Sequence, residues 1–302
     1  MTVLAERLKR AVSGIVVVDK PQGITSNACL QKVKYLYKAA KAGHTGSLDP
    51  LATGVLPVCL GEATKVSQFL LNAEKEYATV VMLGGKTTTA DREGEVVEVA
   101  EVPALEEAAI LRILRSFVGE SLQIPPAYSA LKQNGVPFYK LAREGREIET
   151  RVRTIFIHEL ELMGFSDKSL SLRVRCSKGT YIRSLAEDIA VALGTLGHVG
   201  ELRRLQSGPF RLQDSVTIEK LKAVADLATL DAMLLPMDRA VDHLPMVSLQ
   251  ANDCLRLRQG QKVNCSACMV RGQVRVYESD TFIGIGSLDD AGVLSAVRLL
   301  SY

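Results

Sequence analysis

The chain has 302 residues, 47% hydrophobic and 24% charged, a composition that excludes disordered, collagen-like and acidic solvating chains and leaves room for about two domains. Lys and Arg number 37 against 34 Asp and Glu, so bulk charge does not announce a nucleic-acid partner. No apolar run approaches the roughly 18 residues of a membrane span. The charged start Met1-Thr2-Val3-Leu4-Ala5-Glu6-Arg7 lacks the apolar centre of a signal peptide, and six sparse cysteines fit a reducing compartment rather than a disulfide framework. The expectation is a soluble, cytoplasmic protein.

In chain order, Gly14-Ile15-Val16-Val17-Val18 is mostly β-branched and runs into the turn Asp19-Lys20-Pro21-Gln22-Gly23, the pattern of a buried strand. Ser26-Asn27 cap the helix that follows, in which Leu30, Val33 and Tyr37 recur at i, i+3 and i+7 until Lys41-Ala42-Gly43 stops it. Residues 43–54, with three glycines and a proline, read as one long loop. Strand signal returns over Val55 to Leu60, and Glu62 to Leu71 reads as a helix. Alternation then places Tyr77, Thr79, Val81 and Leu83 on one face of a strand and Ala78, Val80 and Met82 on the other, with both faces apolar enough to be buried. Glu93-Gly94-Glu95 turns into 96–99 as a hairpin, and 104–118 is an amphipathic helix.

Pro125, Pro126, Pro137, Gly135 and Gly145 interrupt residues 123–153, which hold six basic residues and little strand signal, so this stretch reads as a functional insertion. Leu170 to Cys176 alternates as a strand, Thr180 caps a helix over 181–193, and 219–233 reads as another helix. After Pro236, short alternating runs at 272–277, 281–288 and 293–300, separated by Gly and Asp turns, mark a small all-β unit. The boundary falls near 247, dividing the chain into 1–247 and 248–302.

Chemistry-bearing motifs are sparse. Cys265 and Cys268 form one C-x-x-C pair near Cys254 and His243 but lack the second pair of a zinc ribbon. The four histidines (44, 158, 198, 243) make no H-E-x-x-H, and neither a Walker loop, G-x-G-x-x-G nor G-x-S-x-G occurs, which argues against metal, nucleotide-driven and hydride chemistry. Two segments concentrate positive charge without acids: Lys32, Lys34, Lys38 and Lys41 between 27 and 48, and Arg173, Arg175, Lys178 and Arg183 between 171 and 186. They can line a groove for a phosphate backbone or form solvated faces balanced across space. Asp49 stands out in the glycine-rich loop, although Asp-Pro is also ordinary turn chemistry. Arg183 has Glu187 as an i,i+4 partner; Tyr77 and Tyr181 have packing as their plain alternative, and His44 a solvated loop.

Taken together, the run Gly43-His44-Thr45-Gly46-Ser47-Leu48-Asp49-Pro50-Leu51-Ala52-Thr53-Gly54-Val55-Leu56-Pro57 closely resembles the signature loop of the TruB-type tRNA pseudouridine synthases. Four further blocks fall in that family's order: Asp19-Lys20-Pro21-Gln22-Gly23-Ile24-Thr25-Ser26, Lys75-Glu76-Tyr77, Pro125-Pro126-Ala127-Tyr128-Ser129-Ala130-Leu131-Lys132 and Cys176-Ser177-Lys178-Gly179-Thr180-Tyr181-Ile182-Arg183-Ser184-Leu185. The resemblance covers residues 14 to about 240, and the C-terminal unit is similar to the small PUA-like RNA-binding barrel of bacterial members.

The resemblance implies an α+β fold, with a mixed or antiparallel central sheet flanked by helices and a C-terminal all-β barrel. It further implies isomerisation of uridine to pseudouridine, at uridine 55 in the T loop of tRNA, with no cofactor and no metal. A stand-alone monomer with no obligate protein partner and no membrane attachment is implied as well. On this basis Asp49 is the nucleophile, Arg183 the cation that keeps it ionised, and Tyr77 the ring that stacks on uracil and moves a proton. Tyr181 and Leu202 wall the uracil, His44 braces RNA where the base leaves the stack, and Lys20, counted with the substrate-binding set, belongs to the motif supporting the loop. Thr88 stands where the family usually has aspartate, and Ser47 and Thr53 replace the commoner Thr and Ser. Two other classes stay open: a non-catalytic RNA clamp in the same cleft, and a glycosidase-like enzyme, which normally needs two carboxylates flanking the bond.

Overall fold

The computed structural model describes residues 9–129, 131–266 and 268–301. Its main sheet runs in the spatial order Val216–Thr217, Gly14–Lys20, Thr53–Leu60, Gly197–Ser207, Lys75–Leu83, Ser169–Cys176, Arg153–Ser166, Gly119–Gln123, with Ala42–His44 and Phe210–Arg211 paired beside that path. Two pairings are parallel, Gly14–Lys20 with Val216–Thr217 and Thr53–Leu60 with Gly197–Ser207; the others are antiparallel. The expected α+β class with a mixed sheet is therefore what the chain forms.

Helices Glu107–Ser116 and Ile182–Ala192 cover one face of this sheet, where Ile110, Leu114, Leu185 and Ile189 share a core with Tyr77, Val81 and Leu172. The opposite face of Lys75–Leu83 is only half-buried at Ala78 and Val80 and open at Met82, so the reading of two buried faces is corrected. Helix Ser26–Leu36 closes a second core with Val16, Val18, Leu56 and Val58.

Several elements differ from the sequence reading for local reasons. The first helix is capped by Thr25, whose Oγ1 accepts from Ala28 N at 3.0 Å, which frees Ser26 for another partner. The stretch expected as one helix over 62–71 is a 3-10 turn, Gly61–Lys65, followed by the short helix Ser67–Leu71. The helix expected over 219–233 is two, Ile218–Ala223 and Leu227–Ala232, because Asp226 starts a new cap by accepting from Thr229 N at 2.8 Å. Within 123–153 lie a two-residue ladder, Lys132–Gln133 with Val136–Pro137, and helix Phe138–Arg143, anchored by buried Phe138 and Leu141.

The second sheet has the order Met246–Leu249, Gly272–Glu278, Thr281–Leu288, Val293–Leu299, Val263–Asn264, and residue 247 lies inside its first strand. This unit is not all-β: helix Ala251–Arg258 packs on it through Cys254 and Leu257 alone, too few apolar positions to give a periodic signal. Tyr277, Phe282, Ile285 and Leu300 share one buried cluster with Ile15, Val17, Phe210 and Val241 of the larger unit, so the two sheets are joined through a common core.

Candidate active site

The loop ahead of Thr53–Leu60 is held from beneath by side chains of other elements. Ser26 Oγ accepts from Leu48 N at 2.7 Å and donates to Leu48 O at 3.0 Å. Gly23 N donates to Pro50 O at 2.9 Å. Lys20 Nζ donates to Ile24 O at 2.7 Å, Pro21 O at 2.9 Å and Pro50 O at 3.4 Å. Arg204 donates through Nε to Val55 O at 2.7 Å, through Nη2 to Gly46 O at 3.2 Å and through Nη1 to Ser47 O at 3.4 Å. Gly54 has φ +100°, and a Cβ there would lie 2.2 Å from the Arg204 carbonyl oxygen. Only glycine fits that approach.

At the top of this loop Asp49 Oδ2 lies 3.0 Å from Arg183 Nε. The two Nη groups of Arg183 donate to Thr89 O at 2.8 Å and Tyr128 O at 2.7 Å. Its Nε–H is not aligned as a hydrogen bond, so the contact with Asp49 is one of charge. The guanidinium is 4% exposed and the carboxylate side chain 39%: the cation is fixed in protein, and the anion opens on a cavity. Enclosure pushes the Asp49 carboxyl above its usual range; Arg183 opposes this, Asp91 adds to it, and Lys20 opposes it. The Arg183–Glu187 pairing allowed by sequence spacing does not form, and Glu187 instead faces Lys86 at 3.9 Å.

The cavity measures about 330 Å³, and Asp49, Tyr77, Tyr181, Arg183 and Leu202 all line it. That is the small end of the range for ligand sites. Tyr77 rises from Lys75–Leu83; burial raises the pKa of its hydroxyl, and Arg204 pulls it back. Tyr181 is the N-cap residue of Ile182–Ala192 but caps with no side-chain bond, and Thr180, expected as the cap, donates instead to Ser177 O at 3.0 Å. Gln123 grips the Tyr181 backbone on both sides, accepting from its N at 2.8 Å and donating to its O at 3.0 Å, and the Arg153 guanidinium carbon lies 5.6 Å from its ring centroid. Both ends of the 123–153 segment thus hold one wall of the cavity.

Two of the expected site residues lie outside it. Lys20 is fully buried with its ammonium turned to backbone carbonyls, so its place in the substrate-binding set is corrected: it supports the loop. Burial lowers its pKa to about 8. His44 sits half-buried on the edge strand Ala42–His44 opposite Val58, its Nδ1 without a partner and its pKa lowered by burial and by Arg204. Three cations of the basic segment 171–186 are balanced across space, since Arg173 contacts Glu76, Arg175 contacts Glu74 and Glu159, and Arg183 contacts Asp49, while Lys178 donates to Asn72 Oδ1 at 2.8 Å. Arg204 and Ser129, which also line the cavity, were missed. For Arg204 a signal existed, because it shares the parity of Leu202 in a strand and a charge on the buried parity is anomalous. Among the described residues no group of three or more His, Cys, Asp or Glu can hold a metal ion, and no helix is long and apolar enough to cross a membrane.

Comparison with known proteins places this geometry. The fold matches a chain of an H/ACA RNP bound to a substrate RNA containing 2′-deoxyuridine, with TM-score 0.71 and 26% identity over 96% of this chain and 85% of that one. It also matches a chain of a Cbf5–Nop10–Gar1 complex, with TM-score 0.71 and 27% identity over 96% and 84%. The N-terminal domain of the TruB family pseudouridylate synthases matches residues 34–182, the tRNA pseudouridylate synthase B C-terminal domain 183–242, and the C-terminal domain of pseudouridine synthase II TruB 245–300. The fold and the family models define a pseudouridine synthase, an isomerase. Relatives named tRNA pseudouridine synthase B from Stutzerimonas stutzeri and Methylobacillus flagellatus are each 49% identical to it, over 98% of this chain and 98% and 97% of theirs. The chain belongs to the TruB family, and its C-terminal sheet is the PUA-like unit expected from the sequence.

Proposed function

We propose that this chain converts uridine 55 in the T loop of tRNA to pseudouridine, acting in the cytoplasm as a monomer without an obligate protein partner. The observation that carries the reading is the 3.0 Å contact of Asp49 with buried Arg183, at the mouth of a cavity walled by Tyr77, Tyr181 and Leu202. The names of the relatives support tRNA as the substrate.

The cavity is too enclosed for a uridine that stays stacked, so the base must be flipped into it. Arg183 keeps the Asp49 carboxylate ionised against enclosure. The carboxylate attacks ribose C1′ or ring C6, the N1–C1′ bond breaks, the uracil turns between Tyr77 and the wall of Tyr181 and Leu202, C5–C1′ forms, and the bond to Asp49 breaks to return the free carboxylate. The C5 proton leaves and N1 gains one, so atoms and oxidation state balance without an external reactant. Tyr77 stacks on the ring and moves the C5 proton. His44, outside the cavity with an unsatisfied Nδ1, meets the RNA where the base leaves the stack.

The test is tritium release from tRNA labelled at uracil C5, with the modified position mapped. Asp49→Asn is expected to lower release by about 10³-fold or more while tRNA affinity persists. Release mapped to another uridine overturns the T-loop assignment. Free uracil as product marks a glycosidase, and tight binding without release marks a clamp.

A further inference from the structure

Arg204 is a large buried charge unused by the mechanism above. It is 1% exposed, and its hydrogen-bond partners are backbone carbonyl oxygens rather than a carboxylate. A buried cation is unfavourable unless its charge is answered, and unlike Lys20, which lies outside the cavity, Arg204 lines it. Its place follows from strand register. Arg204 lies opposite Tyr77 in the ladder between Gly197–Ser207 and Lys75–Leu83, so the two side chains rise side by side from one face. From there the guanidinium takes the carbonyls of Gly46 and Ser47, three and two residues before Asp49 in the chain, and that of Val55 beyond the loop. Arg204 and Tyr77 both line the same cavity, and the Arg204 charge pulls back the rise that burial gives the Tyr77 hydroxyl. Arginine has five donors in a rigid planar fork, so this one group spans from the loop that carries the carboxylate to the phenol across the cavity.

We infer that Arg204 is the positioning residue that couples the Asp49 loop to the Tyr77 hydroxyl, an inference that rests on the roles given to Asp49 and Tyr77 above. Two consequences follow. Because a guanidinium has no acceptor, it can only donate to the phenol oxygen, which turns the phenol hydrogen away from Arg204. A fixed positive charge beside the hydroxyl also favours loss of its proton, countering the effect of burial. The span keeps nucleophile and proton-transfer group in one geometry, and the charge sets when the second can act.

The two effects separate in a pair of variants. Arg204→Met removes span and charge, and its single-turnover tritium release is expected to fall about 100-fold, with KM for tRNA little changed. The rising limb of its rate against pH is expected to move upward by about one unit. Arg204→Lys keeps the charge but cannot span, so it is expected to return the limb to its wild-type position without restoring the rate. Equal loss at every pH in both variants, with the limb unmoved, overturns the inference and leaves Arg204 a structural brace. Should either variant fail to fold, wild-type protein labelled with ¹⁵N-arginine gives a second reading: the Arg204 Nε resonance is expected to shift on Tyr77→Phe, and an unshifted resonance overturns the coupling. If wild-type enzyme releases no tritium from tRNA, the proposed function fails, and the resonance measurement still decides whether Arg204 and Tyr77 are coupled.

Discussion

Two regions of this molecule hold their cations in opposite ways. Beneath the Asp49 loop, Lys20 and Arg204 are fully buried and bonded to backbone carbonyls, and Arg183 is buried against two carbonyls and one carboxylate. On the outer face of Ser169–Cys176, Arg173 and Arg175 stand in solvent and pair with Glu76, Glu74 and Glu159. The first arrangement spends desolvation to fix one loop in one conformation, and its positive field is left for whatever negative charge the site must hold. The second is cancelled locally, screened by salt and weakly coupled to the fold. Local excess of Lys and Arg in the sequence does not tell these apart, because the partners Glu76 and Glu74 lie 97 and 101 residues away along the chain.

The comparison is broken most severely at Arg183. Replacing it with glutamine leaves the Asp49 carboxylate enclosed without its counter-charge, so turnover is expected to fall by about 10²–10³-fold. The sign for pH is set by the same contact. Enclosure raises the Asp49 pKa and Arg183 lowers it, so loss of Arg183 raises it further, and the acid limb of the rate profile moves to higher pH. Tritium release measured across pH checks both. An unmoved acid limb in a folded variant would falsify the assignment of Arg183 as the group that keeps Asp49 ionised.

The next effect concerns stability rather than turnover. The pKa of Lys20 falls from 10.5 to about 8 on burial, so between those values the unfolded chain binds more protons at this site than the folded one. Stability contributed by this group therefore rises as pH increases from about 8 toward 10.5, and below 8 the buried charge is a fixed cost. Urea unfolding of wild type and Lys20→Met at successive pH values is expected to show wild type gaining on the variant by about 1.4 kcal/mol per unit at most across that window. Parallel curves for the two proteins would mean that Lys20 titrates no differently in the folded state.

How far the sequence carried the reading depends on whether the signal was local. The strand Gly14–Lys20 is legible from its β-branched run and the helix Ser26–Leu36 from its periodicity, and the family resemblance of ordered blocks picks out Asp49, Tyr77, Tyr181, Arg183 and Leu202, which the fold brings to one cavity. The strand Gly197–Ser207 has register shifts on either side of Glu201–Arg204, which leave the shared parity of Leu202 and Arg204 as the one short stretch where a buried charge is legible. Lys20 was assigned to substrate because its motif lies beside the loop in the family pattern; its inward turn is decided by the carbonyls of Pro21, Ile24 and Pro50, which are set by tertiary packing. The broken helix at Asp226 was misread for the reverse reason. The apolar pattern continued through 219–233, and a single capping side chain outweighed it.

The weakest perturbation tests the other side of the comparison. Arg173 meets Glu76 through Nε at 2.6 Å and also through Nη2, yet its side chain is 49% exposed while that of Glu76 is 13% exposed. Deleting the arginine removes an ion pair in high dielectric, and returns side-chain entropy to a residue held in one geometry, so Arg173→Ala is expected to cost less than about 1 kcal/mol of stability. It should leave the pH profile of turnover in place, because the residue lies on the sheet face away from the helices and the Tyr77 ring. The small cost should shrink further as salt is raised, measured as the difference in urea midpoint between the two proteins at low and high ionic strength. If Arg173→Ala instead destabilises the chain as strongly as Lys20→Met, or moves the rate profile, the outer face is part of the same electrostatic frame as the loop, and the division between a buried and a cancelled set of cations does not hold.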